Sequence, residues 1–278
     1  MKKIVSILLF YLLACGGQDD AAQALNKTFT NSIGMVFAFI PAGKFTHYQA
    51  NGNSSGEDAR PHKAVTISRP FYLGKYEVTQ EQWEAVMGPG NNPSSFSGRT
   101  NPVERVSWNE AQEFIKKLNQ KEGGEKYRLP TEAEWEHAAR AGSDTEWFFG
   151  NSASDLDKYA WYVKNSERTT HPVGQKKPNR WGLYDMYGNA YEWVQDWYGE
   201  GWNEDGAVTD PTGPASGAHR VFRGGGWNYL AENCRSSSRY STAPGHNGLG
   251  LGFRLAISPE KLREAGKEEE APDEEPLS

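Results

Sequence analysis

Three helix starts are written into this chain by the same device, and they fix the scaffold to which the rest must fit. Thr79-x-x-Gln82, Ser107-x-x-Glu110 and Thr131-x-x-Glu134 are capping boxes. In each, the hydroxyl takes the third backbone N–H and the third side chain reaches back to the cap. Behind the first box, Trp83, Val86 and Met87 fall on one face. Behind the second, Ala111, Phe114, Ile115 and Leu118 recur at helical spacing, and behind the third Trp135, Ala138 and Ala139 align before Gly142, which is read as the stop. A helix with one apolar stripe must lie on something. The strand-like runs Met35–Ile40, Ala64–Ser68, Phe71–Val78, His219–Arg223 and Gly252–Ser258 supply the surfaces.

Only 37% of the 278 residues are hydrophobic, but 13% are aromatic, with 10 Trp, and there are 30 Gly. Such a composition builds a loop-rich α+β domain whose core is made of large rings. From Gly142 to His219 the chain is rich in Gly, Pro, Asn and Asp and poor in periodic runs, so it reads as long functional loop. No repeat or linker divides residues 31–258, which are read as one domain. The net charge of −6 leaves no basic footprint for nucleic acid.

The two ends read differently. Lys2 and Lys3 precede an apolar run, Ile4 to Leu13, that is too short to span a membrane as a helix and reads as a signal peptide over residues 1–14. It closes on Leu12-Leu13-Ala14-Cys15, which resembles a bacterial lipobox, so Cys15 is the expected lipidation site. An ordinary secretory cut after Ala14 is the alternative. Several acyl chains on Cys15 would hold the chain to a membrane. The expected location is thus extracytoplasmic, lipid-anchored to the bacterial envelope. Residues 15–30 read as a polar tether, and residues 259–278 as an acidic tail unable to bury enough apolar surface to fold. With Cys15 lipidated, Cys234 is the one thiol left, and no internal disulfide can form.

Five motifs follow in order: Arg128-Leu-Pro-Thr-Glu-Ala-Glu-Trp-Glu136, Gly182-Leu-Tyr-Asp-Met-Tyr-Gly-Asn-Ala-Tyr-Glu-Trp193, Arg223-Gly-Gly-Gly-Trp227, Cys234-Arg-Ser-Ser-Ser-Arg239 and Leu251-Gly-Phe-Arg254. Together they resemble the formylglycine-generating enzyme, or sulfatase-modifying factor, family over nearly all of the mature chain. The resemblance implies an α+β fold of low regular structure related to C-type-lectin-like domains. It also implies a reaction in which oxygen converts a substrate cysteine to formylglycine on Cu(I) held by two cysteines. Cys234 matches the first of that pair, but Arg239 occupies the second position. A guanidinium has no lone pair for a metal and would repel Cu(I), so copper is not expected here. Gly250 also replaces the family's Asn before Leu-Gly-Phe-Arg.

Cys234 is therefore either a residual reactive thiol in a substrate groove, with Arg235 and Arg239 lowering its pKa, or a buried filler. Trp227, Arg235, Arg239 and Gly250 are the expected groove residues. Trp181, Trp193, Trp197, Trp202 and Trp227 line a sugar or peptide groove or, more simply, build core. The resemblance further implies Ca²⁺ on Asp185 and Glu192 side chains with Gly188 and Ala190 carbonyls, a hard-cation set. A second calcium position is expected to be lost, because Trp161 stands where its Asn would be. The leading expectation is a membrane-anchored binding or scaffold module for a peptide, glycan or envelope protein. The alternatives are an active oxidase acting on an exported sulfatase and calcium-dependent glycan binding.

Overall fold

All three capping boxes close. Thr79 Oγ1 accepts from the Gln82 N–H at 3.3 Å while Gln82 Oε1 accepts from the Thr79 N–H at 3.0 Å. The pair Ser107 and Glu110 repeats this at 3.2 and 2.8 Å, and Thr131 and Glu134 at 3.1 and 2.9 Å. The computed structural model describes residues 27–49, 60–199 and 206–261. The signal segment, Cys15, most of the tether, Trp202 and the tail from residue 262 lie outside them.

In chain order the strands and helices are β1 (Thr28–Thr30), β2 (Val36–Ile40), β3 (Gly43–Gln49), β4 (Arg60–Ile67), β5 (Phe71–Gly74), α1 (Gln80–Met87), α2 (Trp108–Glu122), β6 (Tyr127–Arg128) and α3 (Glu132–Arg140). There follow β7 (Tyr191–Trp197), β8 (Val208–Thr209), β9 (Arg220–Arg223), β10 (Arg239–Thr242), β11 (Leu251–Phe253) and β12 (Ala256–Ile257). They form a five-stranded sheet ordered β1-β2-β5-β12-β6, a four-stranded sheet β10-β9-β7-β11 and a three-stranded sheet β3-β4-β8. The expected α+β class is what the structure shows.

The stripes pack as the sequence requires. Ala111, Phe114, Ile115 and Leu118 of α2 are buried beside Trp83 of α1 and Phe253 of β11. Trp83 stacks on Phe114 with centroids 5.4 Å apart, and Phe253 meets Phe114 edge-on. Burying each such side chain contributes about 2–3 kcal/mol, which helix propensity alone cannot match.

Three readings of the sequence are corrected. The sheet begins at Thr28, inside the stretch read as tether, because Phe29 pairs with Phe37 across β1 and β2. The long stretch from Gly142 to His219 is not all loop, since β7 runs through it. Its first four residues are all buried, so it lacks the alternation that marks a half-exposed strand. Finally, α3 has no single buried stripe. Glu132, Glu136, His137 and Arg140 are buried along with Trp135, Ala138 and Ala139. The left-handed turn that ends α3 falls on Ala141, at φ 45°, one residue before Gly142.

Candidate functional site

Cys234 follows a short helical turn, Ala231–Asn233, and its backbone carbonyl accepts the Trp147 indole N–H at 2.6 Å. The side chain is fully buried. A Cβ on Gly225 would lie 2.3 Å from its sulfur, and Gly225 has φ +79°, so only glycine allows this approach. Burial pushes the thiol pKa up to about 12, and the backbone of Gly226 and Gly188 nearby opposes that only in part. The sulfur stays protonated at neutral pH, and a thiol is a poor nucleophile and metal ligand.

The expected help from the two arginines does not occur. Arg235 turns to Glu146, Nε to Oε2 3.0 Å, and lies over the Trp147 ring. Arg239 turns to Glu132, with Nε 2.8 Å from Oε1 and Nη2 2.9 Å from Oε2. Each guanidinium is committed to a carboxylate, and neither acts on the sulfur.

Arg239 thereby joins a buried charge network built on α3. Arg223 bonds Glu132 at 3.2 Å and Glu136 at 2.7 Å, Arg140 reaches Glu136 at 2.7 Å, and His47 Nδ1 lies 2.7 Å from Glu136 Oε2. Burial alone would raise both glutamates. Arg239 and Arg223 overcome it at Glu132, and His47, Arg140 and Arg223 overcome it at Glu136, so both are held below the usual carboxylate range. Asp196 accepts the Glu132 N–H at 2.7 Å through Oδ2, while its Oδ1 is buried without a partner. Burial and the nearby Glu132 push its pKa up to about 8. Glu132 anchors Arg239, yet nothing in the sequence marked it beyond its place in the Arg128–Glu136 motif.

The carboxylate loop is also assembled. Asp185 and Asn189 take left-handed backbone at φ 55° and 56°, which their short polar side chains tolerate. Asp185 Oδ2 accepts the Gly174 N–H at 2.7 Å, and Oδ1 is buried with no partner. Glu192 accepts Arg254 through both oxygens at 2.6 Å and the Trp135 indole N–H at 2.7 Å. Glu77, which the sequence reading overlooked, accepts the Ala190 N–H and the Asn189 amide, each at 2.8 Å. Burial and its acidic neighbours raise Glu77 well above the usual range, and burial raises Asp185 to about 6. Three buried carboxyl groups thus face one guanidinium, Arg254.

An excess of buried negative charge and an orphaned oxygen on Asp185 fit a hard cation. Among the described residues no three acidic, histidine or cysteine side chains form a metal cage by themselves. A cation here would need the Gly188 and Ala190 carbonyls too. At Trp161 the backbone carbonyl accepts the Asn189 N–H at 2.7 Å. Its indole stacks on His171 at 3.7 Å, and Lys176 Nζ sits 3.7 Å from the ring centroid.

Of the groove residues, Trp227 and Gly250 adjoin, while Arg235 and Arg239 face their carboxylates. Trp227 meets Phe96 edge-on at 5.1 Å. Tyr191 sits in a ring of Phe222, Tyr229 and Tyr240, all edge-on within 5.3 Å. Val163, Tyr229, Leu230 and Leu249 are exposed. Trp193 is core, and Trp181 packs partly buried against the core. Trp197 and Trp108 instead sandwich Arg220, 3.5 and 3.8 Å from its guanidinium.

Three small sheets, capped short helices and a glycine-packed thiol beside an acidic loop define an α+β domain of the sulfatase-modifying kind. The sulfatase-modifying factor enzyme 1-like domain model matches residues 22–259, and the chain belongs to that family. It is 35% identical to the chaperone protein LppX of Paenibacillus barcinonensis, over 79% of this chain and 87% of that one. It is 34% identical to the formylglycine-generating enzyme of Streptomyces coelicolor, over 79% of this chain and 73% of the enzyme. Among solved structures, Treponema denticola variable protein 1 superposes with a TM-score of 0.74 at 37% identity, covering 84% of this chain and 99% of that one.

Proposed function

We propose that this chain is a non-catalytic binding module of the sulfatase-modifying family, lipid-anchored through Cys15 on the outer face of a bacterial membrane, and that its ligand is another polypeptide. One observation carries the reading: the residue at the second thiol position, Arg239, is locked onto Glu132 by two hydrogen bonds. A copper pair needs two thiolates. Here one is replaced by a half-buried cation, and the other is a protonated thiol with no exposed surface. The relative named as a chaperone protein supports a polypeptide ligand, and it is matched over most of its length. No described helix is long and apolar enough to cross a membrane, so an anchor at Cys15 is the attachment this reading needs.

The test gives the purified chain Cu(I), oxygen and a peptide with a Cys-x-Pro-x-Arg core, and seeks formylglycine by mass. The expected result is unchanged peptide. Conversion that vanishes in Cys234→Ser overturns the reading in favour of an oxidase. Cys15→Ser, expressed in a bacterial host, is expected to move the chain from the membrane fraction to the soluble one.

A calcium ion at Asp185, Glu192 and the Gly188 and Ala190 carbonyls is proposed as well, with Glu77 beside it. The orphaned Asp185 oxygen favours it. Calcium at a hundred times its dissociation constant stabilises by about 2.7 kcal/mol. The melting temperature is therefore expected to rise with calcium and fall with chelator. In Asp185→Asn the rise is expected to shrink.

A further inference from the structure

Asn247 is the one asparagine among the described residues that precedes a glycine, and it sits between two turns. The first turn closes with the His246 N–H on the Ala243 carbonyl at 2.9 Å, the second with the Leu251 N–H on the Gly248 carbonyl at 3.2 Å. Asn247 is exposed, and neither its backbone nor its carboxamide has a hydrogen-bond partner among the described residues. The Gly248 N–H likewise donates to none of them. Other asparagines are held. The Asn151 carboxamide accepts the Glu146 N–H at 2.9 Å, and buried Asn189 donates to Glu77 at 2.8 Å.

That combination is chemically labile. The carboxamide carbon of an asparagine is open to attack by the backbone nitrogen of the next residue. A side chain on that next residue blocks the attack, and a hydrogen bond on either group holds them apart. Gly248 has no Cβ, and neither group is held. A base beside the attacking nitrogen speeds the step. His246 supplies one, with its Nε2 2.7 Å from where a Cβ on Gly248 would stand. A Cβ lies about 2.5 Å from its own backbone nitrogen, so the imidazole is within about 5 Å of the attacking atom, a gap that one water bridges.

We infer that Asn247-Gly248 is a self-modification site, where the Gly248 nitrogen closes on the Asn247 side-chain carbon with His246 as base and water then opens the ring to aspartate or isoaspartate. In the first step the bond from the Gly248 nitrogen to Asn247 Cγ forms and the Cγ–Nδ2 bond breaks. The Gly248 nitrogen gives up its proton, ammonia leaves, and a cyclic imide remains. In the second step water adds to one imide carbonyl and breaks its bond to nitrogen. Opening at the side-chain carbonyl gives aspartate. Opening at the main-chain carbonyl gives isoaspartate, with one extra carbon in the backbone. Either product carries a new negative charge in the loop leading to Gly250. There the Gly250 N–H is held by buried Glu104 at 2.9 Å, and its carbonyl accepts the Tyr191 N–H at 2.8 Å. The site is a slow, one-way change in the segment that sets the start of β11.

The experiment holds the full purified chain at neutral pH and body temperature for several weeks and reads its tryptic peptides by mass against an unaged sample. The peptide of residues 240–254 contains Asn247 as its single side-chain amide, so a gain of one mass unit there reports this site alone. That gain is expected, divided between two products of equal mass that chromatography separates. It should vanish in Asn247→Ser. In His246→Phe, which keeps a ring and loses the base, it should slow about tenfold. Gly248→Ala, at a backbone angle outside the left-handed region, should slow it too. An unchanged 240–254 peptide overturns the site, most sharply where the peptide holding Asn51-Gly52, the same pair outside the described residues, has converted. Conversion of His246→Phe at the parent's rate overturns the assigned base.

Discussion

Arg239 is held by both Glu132 oxygens, and Glu132 is only 1% exposed. Stranding a buried charge costs about 3–5 kcal/mol, but Glu132 without Arg239 keeps Arg223 as a partner. Arg239→Ala is therefore expected to lower stability by less, about 1–2 kcal/mol in urea denaturation. Arg239→Cys should do the same and still bind no copper, because Cys234 stays buried and protonated. Asp196 carries the opposite sign. Its pKa rises to about 8 on folding, against about 4 in the unfolded chain. Between those values the folded chain holds the extra proton, so stability falls as pH rises through that window. Asp196→Asn should keep the bond to the Glu132 N–H and lose the penalty. Its advantage over the parent in urea midpoint is expected to grow from about pH 5 to about pH 9. Glu132 and Glu136, held low, contribute stability that is present above about pH 4 and lost below it.

At the scale of elements, the three helices were legible because a capping box is a local contract among four residues. Ser107→Ala breaks one side of it, and about 1 kcal/mol is the expected loss. The boxes say where a helix starts, not how deeply it sits. Charged α3 reads as a surface helix with one apolar stripe, and the basic side chains of Arg223, Arg140 and Arg239 together with His47 let its glutamates go inside. Strand β7 was hidden for a related reason. Tyr191, Glu192, Trp193 and Val194 are all buried, so polar and apolar residues do not alternate. Glu192 is satisfied by Arg254, 62 residues along the chain, a pairing with no local signature. Glu77 was missed likewise, since it reaches Asn189 and Ala190 across 112 and 113 residues.

Over the whole molecule, two buried clusters share one framework. One gathers α3, Trp135, Trp147 and Cys234; the other gathers α1, α2 and Phe253. Strand β7 joins them, because Val194 lies in the first and Tyr191 and Trp193 in the second. Sheets stitched this way should unfold together. Tryptophan fluorescence and far-ultraviolet circular dichroism are expected to give one coincident transition in urea, and two separated midpoints would show the clusters to be independent.

By itself the sequence determined the helix starts, the class of fold, the family, and the loss of the second sulfur, because each rests on residues near one another or on motif order. Where the displaced arginine goes, that the remaining thiol is sealed from water, and that the Trp227 indole N–H is buried without a partner were decided only in three dimensions. Those outcomes depend on which distant groups share a buried volume, and burial is a property of the assembled molecule rather than of any stretch of chain.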